Sequence, residues 1–214
     1  QAGRQRTDRQ PEHKAYRVAF GSGGMRRRGV GHLALADAVT VANAAVGFLA
    51  VATLLVGAGV GLAARLVLVA SIADALDGLV ARRRGGSEVG PHLDSLADVV
   101  SFAVAPAAIV VAVTTGVTPV SAPLGIAAVA VPAVFVAVAV LRLGLFTVYD
   151  AGDEYTEGAP STLAATILAA AVLSGGRPPV LIALAGGFCV LMLAPVRYRD
   201  LLDRDALVMG AVQA

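Results

Sequence analysis

Apolar residues in this chain run in long blocks and do not alternate with polar ones. The blocks cover about Leu33 to Val60, Leu62 to Val80, Leu96 to Val117, Ala122 to Val148, Ser161 to Ser174 and Pro179 to Val196. Roughly 20 helical residues, each rising about 1.5 Å, cross the hydrocarbon core of a bilayer. The pattern therefore predicts six transmembrane helices in an all-α integral membrane fold. Turn-forming residues separate them: Gly57, Gly59 and Gly61, then Gly85-Gly86, then Thr118-Pro119, then Gly175-Gly176 with Pro178-Pro179. The fifth block is short, which leaves a five-helix or re-entrant arrangement as the alternative.

Charge divides the chain further. Residues 1–31 are polar and basic and read as a surface arm, residues 32–200 as the membrane domain, and residues 201–214 as a C-terminal tail. Met25 is a possible natural start. A signal peptide is not expected, because the first apolar block is too long and leads into further apolar blocks. Eight of the 17 Lys and Arg precede Leu33, whereas Val99 to Val148 holds one charged residue, Arg142. If the helices alternate, the triplets Arg26-Arg27-Arg28 and Arg82-Arg83-Arg84 fall on the same side as Arg197 and Arg199. Basic residues concentrate on the cytoplasmic side, so both termini are expected there, in a multi-pass protein of the cell membrane.

Composition narrows the function classes. With 57% hydrophobic and 15% charged residues and a mean hydropathy of +0.77, a water-soluble fold of this size could not hide its apolar surface. The net charge of +2 comes without a basic surface interleaved with aromatics, so no nucleic-acid partner is expected. The single Cys189 excludes an intrachain disulfide and a cysteine zinc cluster.

Against this background four carboxylates stand out. Asp74 and Asp77 are three residues apart, and Asp94 and Asp98 four apart, so each pair shares a helix face. Carboxylates at bilayer depth cost several kcal/mol unless they face a polar cavity and have partners. Two helices joined by a tight loop can bring all four to one point, where hard divalent cations such as Mg²⁺ or Mn²⁺ would relieve their repulsion. Two such ions about 4 Å apart can share bridging carboxylates. Pairing with the Arg82 triplet, or a proton or ion pathway, are the alternatives.

The run Asp74-Ala-Leu-Asp77-Gly78-Leu-Val-Ala81-Arg82, a loop, then Gly90-Pro-His-Leu-Asp94-Ser-Leu-Ala-Asp98 resembles the signature of the CDP-alcohol phosphotransferases, D-x-x-D-G-x-x-A-R followed by G-x-x-x-D-x-x-x-D. Seven residues separate Arg82 from Gly90, where the serine branch usually has eight; a slightly shortened turn is expected. The resemblance implies a six-helix membrane enzyme, usually a homodimer, whose site opens to the cytoplasm. It further implies metal ligands at Asp74, Asp77, Asp94 and Asp98, and a nucleotide contacted by Gly78, Ala81, Arg82 and Gly90. Asp98 is expected to take the proton of the attacking alcohol while also touching metal.

Leu93 to Phe102, followed by Ala103-Val-Ala-Pro106, is similar to the phosphatidylserine synthase branch. So are Thr40-Val-Ala-Asn43 with Gly47-Phe48, and Gly158-Ala-Pro160-Ser161. By that resemblance Thr40 and Asn43 line the nucleotide pocket. Arg142-Leu143 is similar to the start of an R-L-x-R-F motif, and Arg142 is expected to hold the acceptor's carboxylate. Leu145 replaces the second Arg of that motif. The expected partners are a CDP-activated lipid, with a diacylglycerol or an archaeal ether-linked tail, and L-serine. Glycerol 3-phosphate, inositol phosphate or another small alcohol is the alternative acceptor, and an ion or proton transporter is the alternative from another class.

Overall fold

The computed structural model describes residues 35–84, 87, 89–147, 155–195 and 197–199. Side chains at 35, 79–84, 155–157 and 197–199 lie outside that description, as do the N-terminal arm and the C-terminal tail.

Helix α1 spans Leu35–Leu55 and stops where Gly57 and Gly59 adopt positive φ of 73° and 103°, a conformation that only glycine enters without strain. Helix α2 follows at once, Val60–Arg84. The next rod is continuous over 26 residues but changes its winding. Helix α3, Gly90–Asp98, opens with a proline in its first turn, passes into a π-helical segment Val99–Val104, and resumes as α4, Ala105–Thr115. The Ala105 N–H reaches back five residues to the Val100 carbonyl. Pro106 follows directly, with no N–H to give and a ring that clashes with a carbonyl one α-turn back, so the wider winding absorbs a proline that would otherwise kink the rod.

Helix α5, Pro123–Leu145, leads towards α6, Ser161–Leu173, and α7, Pro178–Leu193. Pro123 and Pro178 sit in first turns, where a missing N–H costs nothing, whereas Pro132 lies inside α5. The expectation of an all-α fold needs one addition. Two three-residue strands, β1 (Tyr155–Glu157) and β2 (Arg197–Arg199), pair antiparallel with Glu157 opposite Arg197 and Tyr155 opposite Arg199. This ribbon ties the approach to α6 to the exit from α7. Gly158, at φ +79°, lies so close to the Met192 carbonyl that a Cβ there would overlap it.

Three helices are long and apolar enough to cross a membrane, Ala36–Leu55, Gly90–Thr115 and Pro123–Leu145. Two shorter apolar helices, Ser161–Leu173 and Pro178–Leu193, accompany them. Helix α2 has the length, with 25 residues, but its carboxylates and arginines interrupt its apolar character. The surface confirms the setting: Phe48, Leu55, Leu96, Val117 and Val190 are all more than half exposed, which water would penalise and lipid would not. This is a membrane protein.

Inside, alanine dominates. One buried cluster joins α5, α6 and α7 around Phe135, Leu168 and Phe188. A second joins α1, α2, α4 and α6 around Val67, Phe102 and Ile109. Small residues let the backbones approach closely. The tightest approach is between Gly47 of α1 and Ser101 of the π segment, where a Cβ on Gly47 would overlap the serine.

Candidate active site

Helix α1 packs against both α2 and α3, and the carboxylates of α2 and α3 meet beside it. One oxygen from each of Asp74, Asp94 and Asp98 lies within 4.8 Å of the others, a spacing that can hold a metal ion. Asp74 and Asp98 act on each other electrostatically, and Asp98 Oδ1 is buried with no hydrogen-bond partner among the described residues. The fourth carboxylate is placed differently. Asp77 acts electrostatically on the other three, yet its Oδ2 accepts a 2.7 Å hydrogen bond from the Thr40 hydroxyl.

Helix α1 forms the neighbouring wall. Thr40, expected at the nucleotide, is buried against Asp77 and also contacts the Ala36 carbonyl at 3.1 Å. Asn43 is 1% exposed, and both atoms of its side-chain amide lack a partner among the described residues. Its backbone carbonyl accepts the Ser101 hydroxyl at 3.0 Å. One turn before Thr40 lies a buried carboxylate that sequence reasoning missed, Asp37. A Cβ on Gly90 would come within 3.3 Å of its Oδ1, so Asp37 reaches the start of α3. The signal was present: an Asp inside an apolar block, three residues before Thr40.

Arg142 comes from α5. It is buried, its guanidinium stands 5.3 Å from the Phe146 ring centre, and its charge acts on Asp98. It therefore does not snorkel to the surface, one of the ordinary fates of a membrane arginine. Gly78 is half-buried one residue past Asp77. Ala81 and Arg82 continue α2, but their side chains lie outside the described residues. One further contact and one change of winding had no sequence signal: the Ser95 hydroxyl meets the Thr147 hydroxyl at 2.6 Å, and the π segment begins directly after Asp98. Such windings occur often at functional sites.

The family model for CDP-alcohol phosphatidyltransferase matches residues 33–195. The chain belongs to the CDP-alcohol phosphatidyltransferase family. Among curated relatives, it is similar to an archaetidylserine synthase from Methanothermobacter thermautotrophicus, 32% identical over 146 residues that cover 67% of this chain and 59% of that protein. It is also similar to a CDP-diacylglycerol–serine O-phosphatidyltransferase from Mycobacterium leprae, 50% identical over 56 residues, covering 26% of this chain and 19% of that protein. The matched region thus spans less than two thirds of either relative. The oxygen-only donor set of this CDP-alcohol phosphatidyltransferase family member suits a hard divalent cation.

Proposed function

We propose that the protein transfers a phosphatidyl-type group from a CDP-activated lipid to L-serine and releases CMP. The observation that carries this reading is the convergence of Asp74, Asp94 and Asp98 within 4.8 Å, with the charge of Arg142 acting on the same cluster. A phosphate-bearing nucleotide and a zwitterionic acceptor need these two kinds of group side by side. The names of both relatives support serine as acceptor.

Asp74, Asp94 and Asp98, with Asp77 beside them, would hold Mg²⁺ or Mn²⁺, and the crowding of their charges fits two ions. Such ions neutralise the diphosphate and stabilise charge on the departing CMP. The protein's own groups do the remaining work. Gly78, Ala81, Arg82 and Gly90, with Thr40 and Asn43, bind the nucleotide, Arg82 supplying a planar fork for phosphate. The two atoms of the Asn43 amide, unpartnered among the described residues, can bond a polar ligand. Arg142 binds the carboxylate of serine. The serine oxygen attacks the lipid-side phosphorus, the phosphorus–oxygen bond to CMP breaks, and Asp98 accepts the hydroxyl proton.

The setting follows from charge. Six helical rods crossing the cell membrane, in a homodimer, place the carboxyl-rich end of α2 with Arg82 to Arg84, Arg197 and Arg199, on the cytoplasmic side with both termini. The donor is CDP-archaeol or CDP-diacylglycerol. Convergence of the carboxylates on one helix pair favours transfer chemistry over a transport pathway, which would spread charge across several helices. Purified protein given CDP-diacylglycerol or CDP-archaeol, Mn²⁺ and a panel of alcohols tests the reading. CMP release should depend on L-serine, and preference for glycerol 3-phosphate would overturn the choice of acceptor.

A further inference from the structure

Helix α5 packs along the π segment and α4 and reaches α3 itself through side chains. One link is electrostatic, Arg142 to Asp98. The other is the 2.6 Å hydrogen bond between Ser95 and Thr147, and it joins residues 52 positions apart. Ser95 lies between Asp94 and Asp98, and Thr147 lies five residues beyond Arg142. The pair therefore bridges the two helices close to both members of the other link.

The two hydroxyls also have carbonyls to answer. Ser95 Oγ is 3.1 Å from the Pro91 carbonyl, and Thr147 Oγ1 is 2.8 Å from the Leu143 carbonyl. Two protons cannot serve three contacts at once. The shortest, between the helices, is kept in either direction of donation, and one of the two backbone contacts is given up. A hydroxyl in a membrane helix ordinarily satisfies itself on the carbonyl one turn back, so the inter-helix bond forms here at the expense of a local alternative.

We infer that Ser95 and Thr147 form a clasp that sets the spacing between Asp98 and Arg142, and so positions the acceptor between the group that takes its proton and the group that holds its carboxylate. The inference rests on the transfer reading for its functional consequence, but not for the clasp itself. Neither residue touches the reacting atoms; both are positioning residues. Neither hydroxyl is among the proposed metal or nucleotide ligands, so serine binding should respond to loss of the clasp more than the nucleotide-lipid or the metal does.

The test is a double-mutant cycle with two readouts. In CMP-release assays, Ser95→Ala and Thr147→Ala should each raise the serine KM about 5-fold, the effect of one hydrogen bond. The KM for CDP-lipid and the half-saturating Mn²⁺ concentration should change less than the serine KM. Thr147→Ser should recover the wild-type serine KM, whereas Thr147→Val should not. Unchanged serine KM in both alanine variants, or a parallel rise in donor KM, would overturn the positioning role. The second readout needs no reaction: melting temperatures of the detergent-solubilised single and double variants should be non-additive, and strict additivity would remove the clasp. Coupled melting temperatures in a protein that ignores serine would instead leave the clasp standing and refute serine as the acceptor.

Discussion

The α2–α3 pair and the α6–α7 hairpin are built from the same small apolar residues, yet they carry different kinds of polar group. The first has carboxylates, whereas the side chains of the two helices in the second offer only hydroxyls and one thiol, and Ser161 Oγ is buried without a partner among the described residues. Along α6 and α7 the outer surface carries an apolar groove lined by Ile167, Val180, Leu184 and Phe188, and the hydroxyls of Thr166 and Ser174 are bonded to Ser71 and the Ala170 carbonyl. Between α2 and α3, three carboxylates crowd into a few ångströms and Asp98 Oδ1 remains unpartnered among the described residues. A membrane helix can fill its surface with alanine and valine at no cost, so like charges held together at depth mark the place where stability was given up for chemistry. The hairpin carries no carboxylate among its described residues.

Substitutions sharpen that contrast, and the largest effects belong to the acidic pair. Asp74→Asn or Asp94→Asn should abolish CMP release and weaken divalent-ion binding, because a neutral amide is a poor ligand for a hard cation. Full activity in saturating EDTA would break this half of the comparison. Asp98→Asn should lower kcat by about 100-fold or more, the usual effect of losing a general base, with CDP-lipid binding largely kept. Collapse of donor binding together with turnover would make Asp98 chiefly a metal ligand. Arg142→Ala should raise the serine KM by about 10-fold to 100-fold, the worth of a hydrogen bond to a charged group, and unchanged serine saturation would remove Arg142 from the site.

Packing effects come next. Gly47→Ala pushes a methyl group into Ser101 and should cost about 1–3 kcal/mol, as overpacking does, read as a lowered melting temperature in detergent. Gly187→Ala, where nothing lies within 4 Å of the added carbon, should change stability by less than about 0.5 kcal/mol. Equal shifts for the two glycines would show that the close α1–π contact does not matter.

The sequence revealed the acidic pair because four charged residues in apolar blocks are conspicuous, and helical spacing alone put each pair on one face. It did not reveal their division, since only the fold shows Thr40 occupying Asp77 while Asp74, Asp94 and Asp98 converge. Hydropathy began the third block at Leu96, whereas the helix starts at Gly90, because the polar run carrying Asp94 reads like a loop. The π winding depends on Pro106 within a continuous rod, and the ribbon on three-residue strands too short to show a period. Ser95 and Thr147 were invisible for another reason: a hydroxyl in a membrane helix is expected to bond its own backbone, and its partner lies 52 residues away.

The central claim is that the α2–α3 carboxylates bind divalent metal in order to transfer a lipid phosphoryl group to serine. Titrating Mn²⁺ into metal-stripped protein while following serine-dependent CMP release, for the wild type and Asp94→Asn side by side, tests it most directly. Release should be absent without metal, rise to saturation with Mn²⁺ in the wild type, and stay near zero in the variant. Metal-independent release, or a variant that saturates at the same Mn²⁺ concentration and rate as the wild type, would contradict the account.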